Sequence, residues 1–555
     1  MKQFFILLLT LGFTSIFSQA GFHFRLDHEI KYLDRLEIES GRLNQAHRDF
    51  SDHAIGLMKS DLIIKDSLSH LSKLNFIFSN YPEYNFYWYT IERTNSSNTF
   101  LNSFLKHKHL FSIFGDDHFL TIDPLLEMKM GFSNEQINRI PFVNRRGIRL
   151  QAGIGKKFQI YSQVVESQFV PAAYMEEYVL LYKTFPGSSF LKDYHPGFYN
   201  NLKGYDFLVA QGAIRYEANK YLSLSFGHGN HKIGEGIRSL FLSDFAAPRM
   251  YLQMNLSVGK LNYQSLFYEL SAESRYKNGV DRLLQKKYMA SHYLSLNLTN
   301  KWSIGVFESV IFNRGNGFEL NYLNPFIFYR FVEQALGSPD NALLGLKTSY
   351  LIGKKSKVYS QFLLDELVVG KLFSESGTWW GNKYAFQFGV KSIDLFGVRY
   401  LDFQAEFNIV RPYTYSYSDS LSNYTHQNQT MAHPLGSNFR ELLLNMSYQP
   451  NDLWSFEWAS MYAVKGLDSD DFNFGGNILK NNSSRIMDTG NFTTQGIKDQ
   501  ILFSSLYLSR KIWSKCWIDL DVFWRNKFGQ QSSSSVWAQL GIRMNLERES
   551  RNWFF

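Results

Sequence analysis

The chain of 555 residues has one cysteine, Cys516, and only 12 prolines. A single cysteine excludes an internal disulfide framework and a thiolate metal cluster. Long apolar runs are missing too: none reaches the ~20 residues a spanning helix needs. The nearest is the opening MKQFFILLLTLGFTSIFSQA. There Lys2 is a positive n-region, Phe4 to Phe17 an apolar h-region and Ser18-Gln19-Ala20 a small-residue cleavage site, so residues 1–20 read as a secretory signal peptide. No cysteine follows it to carry a lipid. Charge of one sign is also scarce. Lys and Arg number 58 against 50 Asp and Glu, and the basic residues are scattered, which argues against a nucleic-acid partner. Aromatics, by contrast, are abundant: 17% of the chain, with 50 Phe and 33 Tyr, at a mean hydropathy of −0.26. An exported, aromatic-rich chain that is polar on average matches a membrane β-barrel, with an apolar lipid face, a polar lumen and aromatic girdles.

Hydrophobic periodicity supports that class. In 398–410, Leu401, Phe403, Ala405, Phe407 and Ile409 alternate with Asp402, Gln404, Glu406 and Asn408. Met250, Leu252, Met254, Leu256 and Val258 alternate with Tyr251, Gln253, Asn255 and Ser257. The same reading predicts eighteen strands, near 119–129, 147–155, 158–168, 206–217, 221–227, 250–258, 261–270, 289–298, 302–312, 342–350, 358–366, 384–390, 398–410, 438–448, 454–462, 501–510, 515–525 and 536–546. Their connections alternate short and long, as in outer-membrane barrels with short periplasmic turns and long external loops. The expected fold is therefore an all-β transmembrane barrel of about 18 antiparallel strands over residues 119–546. Residues 21–118 read as a partly helical periplasmic region, because Ile30, Leu33, Leu36, Leu57, Ile64, Leu68, Leu71 and Leu74 recur near helical spacing. That region either contacts periplasmic machinery or seals the barrel. Residues 547–555 form a tail whose aromatic end, Phe555, lies beyond the best alternation.

The segment FGHGNHKIGEGIRSLFLSD, Phe226 to Asp244, resembles a phosphate loop in its glycines and a metal site in His228 and His231. A phosphate loop needs glycines opening a helix, and here an expected strand precedes them. A metal site needs further ligands at fixed geometry, and Glu235 and Asp244 are the nearby carboxylates. The segment reads instead as a compact element at the barrel mouth. No cofactor and no metal is expected. Motifs just before descending strands should gather at one rim: Arg145 and Arg146; His228, Asn230, Arg238 and Asp244; Asp340 and Asn341; Trp379 and Trp380; His433 and Asn438. Such donors and aromatic faces suit polysaccharide, and a rim of turn residues with interfacial tryptophans is the alternative. For hydrolysis, His292, Ser295 and Asp281 are near in sequence, but no spacing singles them out, so the chain is not expected to be an enzyme. The polar ladder Asp402, Gln404, Glu406, Asn408 could line a pore or fill a lumen.

The order NRRGIRLQAGIG, FGHGNHKIGEGIRSLFLSDFAAPRMYLQMN, GSPDNALLGL and HPLGSNFRELLLNMSYQP, with YLDRLEIESG upstream, resembles the Wzi-like capsule-assembly family, most of all its RemB gliding-motility branch. The resemblance spans most of the mature chain and is weaker in the N-terminal region. It implies an eighteen-stranded outer-membrane barrel with periplasmic helices and a non-enzymatic role at the cell surface. The partners it implies are outer-membrane lipid, surface polysaccharide and gliding or export machinery. A porin-like transport barrel, or a structural partner of such machinery, is the alternative.

Overall fold

The computed structural model describes residues 34, 35, 37–43 and, with short gaps, 109–548. The expected signal peptide, the apolar positions from Ile30 to Leu74 and the aromatic C-terminus lie outside the described residues. Eighteen antiparallel strands form one closed barrel. The first, His118–Ser133, pairs with the last, Ser533–Met544, from Leu126↔Met544 to Ser133↔Trp537. Every expected strand is present.

Several strands run further than the hydrophobic pattern indicated: Phe142–Ile154, Trp454–Leu467 and Ile497–Trp513. The extensions carry polar outward side chains that pair across the ladder. Arg146 Nε donates to Glu166 at 2.8 Å, Asn144 to Gln168 at 3.2 Å and Gln168 to Asp206 at 3.1 Å. Alternation therefore fades before the strand does. The long connections expected at 130–146 and 526–535 shrink accordingly to 134–141 and 529–532. At the opposite end the turns are tight. Gly259, at φ +61°, occupies the two-residue turn between paired Val258 and Leu261, where a positive φ is required. A short strand, Phe111–Phe114, pairs with Phe119–Ile122, so the sheet begins inside the region expected to be mixed or helical. Two loop helices, Ala173–Tyr182 and Tyr329–Leu336, were not expected.

Polarity is inverted relative to a water-soluble sheet. Along Arg249–Val258, Tyr251, Gln253 and Asn255 are buried, while Met250 and Leu252 are exposed. Along Leu401–Val410, Glu406 and Asn408 are buried and Phe407 is exposed. The period-two pattern thus sends apolar side chains outward and polar ones into the lumen.

Inside, many of the described charges are paired. At the seam between first and last strands, Lys129 meets Glu127 at 2.7 Å and Asp521 at 2.6 Å, and Arg145 meets Glu127 at 2.9 Å. Asp519 accepts from Arg543 at 2.6 Å and Ser509 at 2.5 Å, and pairs with Arg548 at 3.3 Å. The chain past the last strand therefore turns inward at least as far as Arg548. Removing the carboxylate that two arginines share should be costly: Asp519→Ala is expected to lower barrel stability by about 3–5 kcal/mol. Urea titration of the folded protein in detergent, with Asp519→Asn for comparison, measures that loss.

Candidate functional site

The lumen is occupied by the connection that contains the glycine-rich segment. Between the Leu222–Gly229 and Arg249–Val258 strands, the chain folds back inside the barrel. Ile233 bridges Leu242, with Ile233 N donating to Leu242 O at 3.0 Å. Lys232 Nζ donates to the carbonyls of Gly236 and Ile237, both at 2.9 Å, and closes the lobe. Asn230 Nδ2 donates to Ala246 O at 3.0 Å and ties its two ends. Ile233, Leu240, Phe241, Leu242, Phe245 and Ala246 are buried in the main core, and Phe241 stacks on Phe307 of the wall with centroids 4.9 Å apart.

The tip of this plug is fixed by polar side chains of the wall. Glu406 accepts from Ile237 N at 2.6 Å, Arg238 N at 3.0 Å, Tyr359 OH at 2.7 Å and Asn408 Nδ2 at 3.0 Å. Leu240 N donates to Gln361 Oε1 at 2.9 Å, and Gln387 Nε2 donates to Arg238 O at 3.3 Å. The glycines make this approach possible. A Cβ at Gly236 would collide with Glu406 Oε2, and one at Gly234 with Gln361 Nε2. Glu235 pairs with Lys347 and, at 2.5 Å, with Lys357. The loop spanning 411–437 packs over the plug: Tyr415 OH donates to Leu240 O and Tyr424 OH to Phe241 O, both at 2.8 Å, and Ser243 N donates to Met431 O at 2.7 Å.

A short helical segment packs at the short-turn end. Residues 34, 35 and 37–40 are helical and lie within the YLDRLEIESG stretch. Arg35 meets Asp394 and Asp402, each at 2.6 Å, and Asp34 meets Lys391 at 2.7 Å. Glu37 meets Lys357 at 2.6 Å. Lys357 thereby bridges the plug and this helix. Ile38 packs with Leu351 and Ile393.

The twelve expected rim residues do not gather at an exposed rim. Arg145, Arg238, Asp340, Asn341, His433 and Asn438 are buried, because each serves the fold. Asp340 accepts from Arg314 at 2.8 and 2.7 Å and from Tyr322 OH at 2.6 Å. Asn341 donates to Ser422 O at 2.9 Å. Asn438, at φ +60°, donates to Gly466 O and Gln495 O and accepts from Thr494 N. Arg238 lies 3.7 Å from Glu441. His433 Nδ1 accepts from Leu435 N, so its Nε2 carries the hydrogen donated to Glu441 at 2.7 Å. Arg146 and His228 point outward, the latter against Ala210 O at 2.9 Å. His231 is buried in the lumen at 2.5 Å from Tyr268 OH, so the two histidines face opposite sides of the wall. Asn230 and Asp244 are half-buried within the plug. His292 and Ser295 lie on opposite faces of one strand and cannot act as base and nucleophile, and Asp281 lies outside the described residues.

Trp379 and Trp380 remain, half-exposed on the long-loop side. They join residues that no motif singled out. Arg485 lies over the Trp380 ring at 4.0 Å and pairs with Asp488 at 2.6 Å, while Trp380 N donates to Asp488 O at 2.8 Å. Arg411 holds this group from below through Asn382 O at 3.2 Å and Asn491 O at 3.2 Å. Asp488 is exposed, as are Met487 and Phe492 nearby. Aromatic faces beside an Arg–Asp pair can stack on a ring and bond hydroxyl groups.

A closed barrel with apolar outward strands and an occupied lumen has the fold of an outer-membrane barrel. In particular, it resembles Escherichia coli Wzi, an outer-membrane protein involved in group 1 capsule assembly and described as a carbohydrate-binding β-barrel. The TM-score is 0.53 at 14% identity, covering 95% of this chain and 100% of that one. Pseudomonas aeruginosa OprD matches with a TM-score of 0.40 and 9% identity over 77% of this chain and 96% of its own. No family model and no curated protein sequence matches the chain. The gliding-motility branch rests on the sequence motifs alone.

Three plug and loop histidines share an electrostatic state. Burial, reinforced by Arg249, holds His231 down to about 3. Burial also pushes His426 far down, with Arg249 and Lys287 adding to it, and lowers His433 despite Glu441. An opened plug would solvate His231 and return it to its ordinary value of 6.5. Plug opening should therefore take up a proton and become easier as pH falls from about 6.5 toward 3, by about 1.4 kcal/mol per pH unit for this group. Hydrogen exchange of amides 231–243 between pH 7 and pH 5 is the readout. His231→Gln keeps an acceptor for Tyr268 and should reduce the pH slope by about one proton.

Proposed function

We propose that the protein is an outer-membrane barrel that works at the cell surface without catalysis, binding surface polysaccharide for capsule or exopolysaccharide attachment or assembly and for gliding motility. In this reading the long loops face outward and the N-terminal region lies in the periplasm. The observation that carries it is the four-bonded Glu406 carboxylate, which fixes the plug across the lumen and leaves the outer loops as the working surface. The group Trp379, Trp380, Arg485 and Asp488 supplies a stacking face and hydroxyl-bonding groups there. The fold shared with Wzi supports the same direction.

Two other readings follow from particular features. A porin-like transporter would use the polar lumen walls, and the plug opposes it. A structural partner of gliding or export machinery would use the N-terminal region. Sedimentation of purified protein with the native surface polysaccharide tests the main reading. Trp379→Ala and Asp488→Ala are each expected to weaken retention by about tenfold, a loss of ~1.4 kcal/mol. Leu283→Ala, on a different exposed loop, should leave it unchanged. Retention of the native chain no greater than that of an unrelated barrel would exclude the proposal.

A further inference from the structure

The connection at 313–340 does not join the lumen plug. Alternation along the neighbouring strands shows which side it takes. Met289, Tyr293, Phe307 and Ile311 belong to the main interior core with Phe241 of the plug. Tyr288, Ala290, Val310 and Phe312 are the intervening residues on the same strands. They form a separate cluster with Tyr322, Tyr329 and Val332. Neighbours along a strand face opposite sides, so this second cluster lies on the outer wall. Tyr263 repeats the pattern, donating to Pro325 O and stacking near Phe326 at 6.3 Å.

The segment covers an outward carboxylate and imidazole. Glu308 and His292 approach within 3.8 Å, and both would face the surroundings of the barrel if uncovered. Instead Glu308 Oε1 accepts from Arg330 N at 3.2 Å, at the start of the Tyr329–Leu336 helix, whose positive end favours a carboxylate. Several of the segment's backbone donors are satisfied locally: Asn321 N by Glu319, Phe326 N by Asn324 and Phe331 N by Phe328 O. Away from the wall the segment presents large apolar side chains, with Arg330 exposed among them and paired to Glu333 at 2.6 Å. Phe326 is 78%, Phe328 62% and Phe331 65% exposed. This face continues the apolar wall at Leu294 and Val306. Above it, the exposed pair Lys286–Glu269 marks where the wall turns charged. Glu269 aligns with Tyr288 and Ser265 with His292, which puts the covered pair about 10 Å below that row on tilted strands. That is the depth reached by helices lying in a lipid interface.

We propose that residues 319–337 form a lipid-embedded strap on the outer wall, with Phe326, Phe328 and Phe331 among the acyl chains of the leaflet on the long-loop side. A bilayer is the occupant that fits, since the exposed phenylalanines extend a wall already apolar at Leu294 and Val306 and the polar pair beneath is shielded. The inference rests on the barrel lying in a membrane.

The single cysteine makes a direct test possible. In full-length protein carrying Cys516→Ser, a bimane fluorophore is attached through Phe328→Cys, Phe331→Cys, Leu294→Cys, Val306→Cys or Leu283→Cys. Each variant is checked for the heat-modifiable gel shift of a folded barrel and reconstituted into phosphatidylcholine vesicles with brominated acyl chains. Labels at 328 and 331 should lose fluorescence as fully as those at 294 and 306 and resist aqueous iodide, whereas the label at 283 should respond to iodide alone. Iodide quenching at 331 with lipid quenching at 306 overturns the strap and leaves the membrane reading standing. Iodide quenching at 294 and 306 overturns both. Protection of 331 from both quenchers, lost on dilution of the protein in lipid, would mean that a second copy covers this face and would also overturn the strap.

Discussion

The structure depends on one carboxylate. Glu406 projects from the barrel wall into the lumen, where a bare charge would be costly. Two backbone N–H groups at the plug tip, a tyrosine hydroxyl and an asparagine amide satisfy it. The same bonds satisfy the plug, since the N–H groups of Ile237 and Arg238 have left water. Wall and plug therefore specify each other. Gly236 is required because a side chain there would fill the space that Glu406 occupies.

The rest follows from polarity turned inside out. An apolar outer wall commits most polar strand positions to the lumen, and those positions need partners. Some find them across the seam, as Lys129 and Asp521 do, or on the next strand, as Asp519 and Arg543 do. Others find them in the plug, in the 411–437 loop or in the helix at 34–40. Lys357 shows the economy of the arrangement, touching Glu235 from one end of the barrel and Glu37 from the other. The strap at 319–337 obeys the same rule on the outside, where it covers an outward-facing polar pair, Glu308 and His292.

The barrel was legible in the sequence because strand alternation is local: Phe407 and Asn408 announce their faces by themselves. The course of the loops was not, because their partners are remote. Ile237 and Glu406 are distant in the chain, and no pattern near Gly234 or Gly236 names Gln361 or Glu406. The glycines imitated a phosphate loop for that reason. The expected rim failed for a related one. Asp340, Asn341 and Asn438 sit at the starts of strands, where their side chains bond groups elsewhere in the long connections, and that use buries them. Arg145 and Arg146 read in sequence as loop neighbours, but the strand continues through them and sends them to opposite faces. Arg485 and Asp488 carried no motif, and only folding brings them to Trp380.

The central claim is that the barrel is closed by its own plug and acts at its surface. Single-channel recording in a planar lipid bilayer tests it most directly. Full-length protein should insert without steady conductance, and Glu406→Ala should produce openings as the plug tip loses its anchor. A steady open channel from the native chain would contradict the account.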